Sequence, residues 1–194
     1  MSAPLPLAEL VRKNRTCRRF YQEREIAMET LRGLVDLARL SASGANRQPL
    51  RFLLSWTPER NALIFAHLGW AAYLRDWPGP VEGERPSAYI LILLDTSISK
   101  TPGCDHGIAA QSILLGAVEQ GLAGCMIGSV QREALGGALG LDPRYEIPLA
   151  LALGHPKEQV VLEALPPDGD VRYWRDEQGV HHVPKRALED LIVG

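Results

Sequence analysis

Ala88-Tyr89-Ile90-Leu91-Ile92-Leu93-Leu94 is an unbroken apolar run. It is too short for most helices and has the composition of a strand covered on both faces, so it is placed at the centre of a sheet. The flanking segments must supply the covering layers. Upstream, Arg51 to Trp56 reads as a short strand, and Pro58 opens a helix carrying Leu63, Ile64 and His67, since proline suits a first helical turn. Gly79 and Pro80 mark the loop that leads into the central run. Further back, Leu31, Leu34, Val35 and Ala38 form one apolar face of a helix from Glu29 to Leu40. Leu7, Leu10 and Val11 mark a short amphipathic helix that runs into the basic stretch Arg12 to Arg19.

Downstream, Asp105 is read as the N-cap of a helix from His106 to about Gln120, apolar nearly all round and stopped by Gly121. Such a helix needs cover on every side, which its own copy in a dimer could supply. Cys125 to Ile127 is a strand, Arg132 to Leu139 a helix, and Ile147 to Leu153 a strand with Pro148 near its start. Val171 to Trp174 and Gly179 to His182 can pair across a turn, and Ala187 to Val193 is expected to close the chain as a short helix. No internal repeat, low-complexity tract or linker interrupts the series, and 194 residues suit one domain.

The composition, 46% hydrophobic and 23% charged, is that of a chain able to bury a core. A net charge of −2 gives no general field for nucleic acid, so an anion must be met by a local basic cluster. Cys17, Cys104 and Cys125 are widely spaced and suggest neither a disulfide framework nor zinc, which fits a reducing cytoplasm. The N-terminal ten residues lack the pattern of a signal peptide. No apolar run reaches the roughly 18 residues of a spanning helix, so no membrane role is expected.

Four clusters carry possible chemistry. Arg15-Thr16-Cys17-Arg18-Arg19-Phe20 sets guanidinium groups and a hydroxyl on one turn, able to grip a phosphate or a polar ring edge; a solvated basic turn has the same appearance. In Ser43-Gly44-Ala45-Asn46-Arg47-Gln48-Pro49, Gly44 permits close backbone approach, and Ser43 and Asn46 offer hydrogen bonds to a heteroaromatic edge; an ordinary helix-to-strand turn would look alike. In Cys125-Met126-Ile127-Gly128-Ser129, Gly128 exposes a backbone N–H and Met126 with Ile127 can floor a ring, or simply pack the core. Val183-Pro184-Lys185-Arg186 ends in a cationic pair. Walker and Rossmann spacings are absent. His181 and His182 point to opposite faces of a strand and cannot readily share a metal ion, and His106 reads as a surface or capping residue.

Together and in this order, the four clusters resemble the FMN-dependent nitroreductase family over about Leu7 to Ile192. The family's Arg-Arg-Ser-x-Arg-x-Phe motif falls on Asn14 to Phe20, with Asn14 in place of the first arginine. Its Pro-Ser-x-x-Asn-x-Gln-Pro segment falls on Ala42 to Pro49, with Ala42 in place of proline. The resemblance implies an α+β three-layer fold, with a central mixed sheet flanked by helices, and a homodimer with FMN at the subunit interface. It also implies roles: Arg15 and Thr16 at the phosphate and ribityl chain, and Arg18 at the flavin pyrimidine. Ala42, Ser43, Gly44 and Asn46 would cover the flavin from the partner subunit. Met126, Ile127, Gly128 and Ser129 would lie along the dimethylbenzene and N5 side, and Lys185 and Arg186 would complete the phosphate site. The short Trp70 to Pro86 segment resembles that of smaller members lacking an inserted helical pair; Trp70, Tyr73 and Trp77 either line a substrate channel or pack the core. The implied reaction is ping-pong, with NADH or NADPH as donor and a nitroaromatic, quinone or related small molecule as acceptor. No general base is named, because the flavin carries the hydride chemistry. A flavin-binding sensor or interaction protein without turnover is the alternative.

Overall fold

The computed structural model of the protein describes residues 5–74 and 76–194. The apolar run becomes strand β2 (Ala88–Asp95), and every one of its residues is buried. It lies inside a four-stranded sheet of order β1-β2-β4-β3, with β1 at Leu50–Ser55, β3 at Ala123–Ile127 and β4 at Tyr145–Gly154. Alternation along β2 sorts its side chains into two cores. Ala88, Ile90 and Ile92 pack with Leu31 and Leu34 of α2 (Met28–Leu40) and with Ala110, Ile113 and Leu114 of α4 (Asp105–Glu119). Tyr89, Leu91 and Leu93 pack with Ile64 of α3 (Pro58–Phe65) and Leu135 of α5 (Arg132–Leu139). This is the three-layer arrangement expected, and each fully buried aliphatic chain contributes about 1.5–3 kcal/mol.

Three expectations are corrected. All strand pairs of the main sheet are antiparallel; among the described residues parallel character enters only through a Thr16–Gly124 bridge and a separate small sheet. That sheet, of order β5-β7-β6, joins β5 (Val160–Ala164), β6 (Trp174–Arg175) and β7 (His181–Lys185). The proposed pairing of 171–174 with 179–182 survives as Trp174↔His182 and Arg175↔His181, whereas β5 carried no strand signal that had been used. Residues 187–193 form turns rather than a helix. Their apolar side chains find no face to cover, with Leu188, Leu191 and Ile192 all more than 60% exposed. Asp105 does not cap α4 with its side chain; it is the first helical residue, and Cys104 occupies the cap.

The basic N-terminal turn follows α1 (Leu7–Lys13) and is laid against the edge strand β3. Asn14, which replaces a family arginine, is buried, and its amide donates to Gln111 of α4 at 3.4 Å. Cys17 N–H donates to the Gly124 carbonyl at 3.0 Å. Phe20 is fully buried against Gly154, where a Cβ would come within 2.6–2.8 Å of its ring and Cβ. At Gly124 a Cβ would lie 2.5 Å from Leu114 Cδ2 and 2.8 Å from the Ala152 carbonyl oxygen. The leucine can swing aside, but the backbone oxygen cannot.

Gly124→Ala restricts the unfolded chain by about 0.4–1 kcal/mol, but overpacking costs about 1–3 kcal/mol. The variant is therefore expected to be less stable by about 1–2 kcal/mol, read as a lower urea midpoint at unchanged m-value. A stabilised variant would refute this account of the packing at Gly124.

Candidate functional site

Arg18 is 8% exposed. Its backbone N–H donates to Glu158 Oε2 at 2.8 Å, whereas that carboxylate's ion pair is made with Arg175. The Arg18 guanidinium meets His181 Nε2 at 3.4 Å and lies 4.7 Å from the centre of the Tyr173 ring. Among the described residues no carboxylate forms an ion pair with it. Burial holds the His181 imidazole down at about 4, so the ring is neutral at physiological pH and can accept a hydrogen bond from Arg18. A buried cation without a counter-charge is costly, and this one fronts a cavity of about 330 Å³.

The cavity's other walls are Met126, Ile127, Gly128 and Ser129 at the end of β3, with Trp70 and Tyr173. The strand alternates: Cys125 and Ile127 are buried and Met126 is exposed. Beyond it Gly128 and Ser129 are exposed, and no atom lies near the position a Gly128 Cβ would take. The 66–72 loop rests on this strand end through Gly69 N–H to Ser129 O at 2.8 Å. Gly69 lets the loop come this close: a Cβ would sit 2.4 Å from Ser129 Oγ, which would have to turn away. Trp70 is held by Phe65 and by the close approach of Gly79. Tyr73 packs on Tyr173, and Trp77 lies under the Arg175 guanidinium. Of the three aromatics only Trp70 reaches the cavity wall, and 70–86 holds no helix among its described residues.

The remaining predicted contacts lie apart. Arg15 lines a neighbouring cavity with Glu119 and Gly121, its Nε buried and without a partner. Thr16 forms the bridge to Gly124 and its side chain is exposed. Arg19 is removed from any phosphate role, because it grips Glu84 through two bonds of 2.6 and 2.7 Å. That contact holds the Glu84 carboxyl down at about 2. Lys185 and Arg186 are exposed, and Lys185 stands four register steps from Val160, which flanks Arg15's cavity. At about 3.3 Å per residue this is roughly 13 Å along the small sheet.

The 42–48 loop lines neither the Arg15 nor the Arg18 cavity. It is fixed at the start of α4 by Asp105, whose Oδ2 accepts the Ser43 hydroxyl at 2.6 Å and whose Oδ1 accepts the Gly44 N–H at 2.9 Å. Ser43 Oγ in turn accepts the Gln48 N–H at 2.9 Å. Ala45, Asn46 and Gln48 all have φ near +50°, a conformation non-glycine residues rarely adopt and one that costs of order 1–3 kcal/mol each. The buried carboxylate is what holds these strained residues in place. Asp105 is thus the anchor of this loop, which reading it as an N-cap overlooked. Its acidic character at the start of an apolar helix was the available signal. Ala42 and Asn46 are exposed. A cavity of about 560 Å³ between α3 and the 82–87 loop contains none of the predicted contacts.

Cys17 and Cys125 are buried beside the turn, and desolvation pushes their thiols up to about 12 and about 11. Neither is a thiolate nucleophile at neutral pH. The donors that remain suit an extended anionic ligand with a flat polar ring. They comprise one unpaired buried guanidinium, a second partly buried arginine, an open backbone edge at Gly128 and an aromatic wall.

Comparison with known proteins agrees with this donor set. The Nitroreductase family model matches residues 11–76 and 91–155. A Methanothermobacter thermautotrophicus protein named as an NADH dehydrogenase/NAD(P)H nitroreductase is 28% identical over 161 residues, covering 79% of each chain. A Desulfovibrio desulfuricans protein described as a nitroreductase and solved in complex with FMN is 26% identical, with TM-score 0.70, covering 99% of this chain and 98% of that one. The Vibrio harveyi NADPH:FMN oxidoreductase, solved with NAD+, shares the fold at 20% identity and TM-score 0.64, over 83% of this chain and 74% of that one. With basic turn, loop, strand end and sheet all in the family order, this chain belongs to the nitroreductase family of oxidoreductases.

Proposed function

We propose that residues 1–194 form one FMN-binding domain of a cytoplasmic homodimeric oxidoreductase that uses NADH or NADPH to reduce nitroaromatic, quinone or related acceptors. The observation that carries this reading is Arg18, a buried guanidinium without a carboxylate partner among the described residues, fronting the cavity walled by Met126 to Ser129. Bound FMN would supply hydride acceptance and electron transfer; the chain's residues bind, orient and tune it.

Arg18 places positive charge where the reduced ring would carry negative charge, and so favours the reduced form. His181 and Tyr173 orient that charge without cancelling it. Gly128 leaves its amide open, and Trp70 limits water on one side of the cavity. Three free thiols agree with a reducing compartment.

A second copy of the chain is needed to complete the site. The 42–48 loop is bonded to the first residue of α4, whereas Arg15 lies beside the last. Fifteen residues at 1.5 Å each separate them by about 20 Å. In this reading one flavin draws them from different chains. The apolar side chains left exposed on the helical face fit this arrangement: Leu7 and Val11 of α1, Leu37 and Leu40 of α2, and Ile108 of α4. Lys185 and Arg186 would complete the phosphate site with Arg15.

The purified protein is expected to be yellow and to bleach on anaerobic addition of NADPH. A stable yellow spectrum would favour a sensor or interaction protein, and a colourless protein that takes up no FMN would refute the reading. In the FMN-loaded protein, Arg18→Gln should lower the two-electron midpoint potential by about 30–60 mV, the equivalent of the roughly 1.5–3 kcal/mol of a charged hydrogen bond. An unchanged midpoint with weaker FMN retention would make Arg18 a phosphate ligand instead. Asp105→Asn, which loosens the Ser43 loop at a distance from the Arg18 cavity, should weaken FMN binding roughly tenfold and leave the midpoint where it was. A shifted midpoint with full affinity would contradict its role in holding the loop.

A further inference from the structure

The Arg18 guanidinium owes its unpaired state to what happens to the nearest carboxylate. Glu158 has a fully buried side chain, and its Oε2 receives the Arg18 backbone N–H at 2.8 Å. Left alone, this anion would be the natural partner of the guanidinium on the same residue. Instead its Oε1 is taken by Arg175 Nη2 in a direct ion pair. Arg175 is itself held by the small sheet, where it pairs with His181 in register, and by the Trp77 ring 4.8 Å from its guanidinium carbon. Trp77, Arg175, Glu158 and Arg18 thus form a chain in which one arginine satisfies the carboxylate and leaves the other free. His181 Nδ1 lies 4.0 Å from Glu158 Oε1, and its Nε2 faces Arg18.

We infer that Arg175 is a positioning residue for the flavin site: by holding Glu158 it keeps the carboxylate off the Arg18 guanidinium and preserves the positive charge that faces the cavity. This rests on the proposed role of Arg18 at the reduced ring. The effect is electrostatic and acts through Glu158, since Arg175 is not among the residues lining the cavity. Without Arg175 a Glu158 that stays ionised has two outlets, both of which reduce the favourable field. It can swing to Arg18, or remain as an uncompensated anion beside it.

The test is potentiometry of FMN-loaded variants. Arg175→Gln is expected to reduce the preference for reduced over oxidised flavin about tenfold, a midpoint lower by about 30 mV for a two-electron couple. Arg175→Lys, which keeps the charge, should stay close to the unsubstituted protein. Adding Glu158→Gln to Arg175→Gln should return the midpoint toward its original value, because the charge that interferes is gone. A purely structural role for Arg175 predicts no shift in the single variant and further loss of stability, without rescue, in the double one; that result overturns the inference. Should Arg175→Gln fail to fold, Glu158→Gln alone is expected to raise the midpoint, and a value unchanged or lowered overturns it equally. Arg18→Gln measured alongside separates the two levels. If it lowers the midpoint and Arg175→Gln does not, only the inference falls; if Arg18→Gln has no effect, both fall.

Discussion

Glu158 is the carboxylate on which the site depends. It accepts the Arg18 backbone N–H with one oxygen and pairs with Arg175 through the other. In this way it ties the basic N-terminal turn to the small C-terminal sheet across 140 residues of sequence. A buried anion of this kind is tolerated only when every lone pair it presents is answered, and the answers come from the two segments that frame the cavity. The main sheet supplies the floor at the end of β3, and its glycines let its neighbours lie close. Gly154 admits Phe20, and Gly124 admits Leu114 of α4 against the Ala152 carbonyl of β4.

Much of the fold was legible because the apolar pattern of β2 forces cover on both faces, and helices of the right period stand on either side of it. The end of β3 was legible for the same reason: a short strand after a buried helix must finish where Gly128 and Ser129 stand. The small sheet was harder to read. β5 is half exposed and ordered by its pairing with β7, a contact between segments about 20 residues apart with little local propensity behind it. The expected terminal helix failed for a related reason. Its period is amphipathic, but within one protomer there is no face for it to cover.

The resemblance located the clusters but could not assign their partners. It singled out Arg18 and gave Arg19 no role; in the structure Glu84 pairs with Arg19, and among the described residues no carboxylate pairs with Arg18. Asp105 reads as a cap and serves as the anchor of a strained loop. His181 and Tyr173 contribute through the tertiary placement of the small sheet, which no local pattern announces. Composition indicated which residue types were available; the pairing of charges determined which of them remained free to bind.

The same division of the site into separated parts gives the account its central claim, that a single chain holds only part of a flavin site. Sedimentation velocity followed at the flavin absorbance tests it most directly, over a range of protein concentrations that would dissociate a weak dimer. The account predicts that all bound flavin sediments as dimer, and that dilution to monomer releases it. Flavin travelling with a monomer would contradict it.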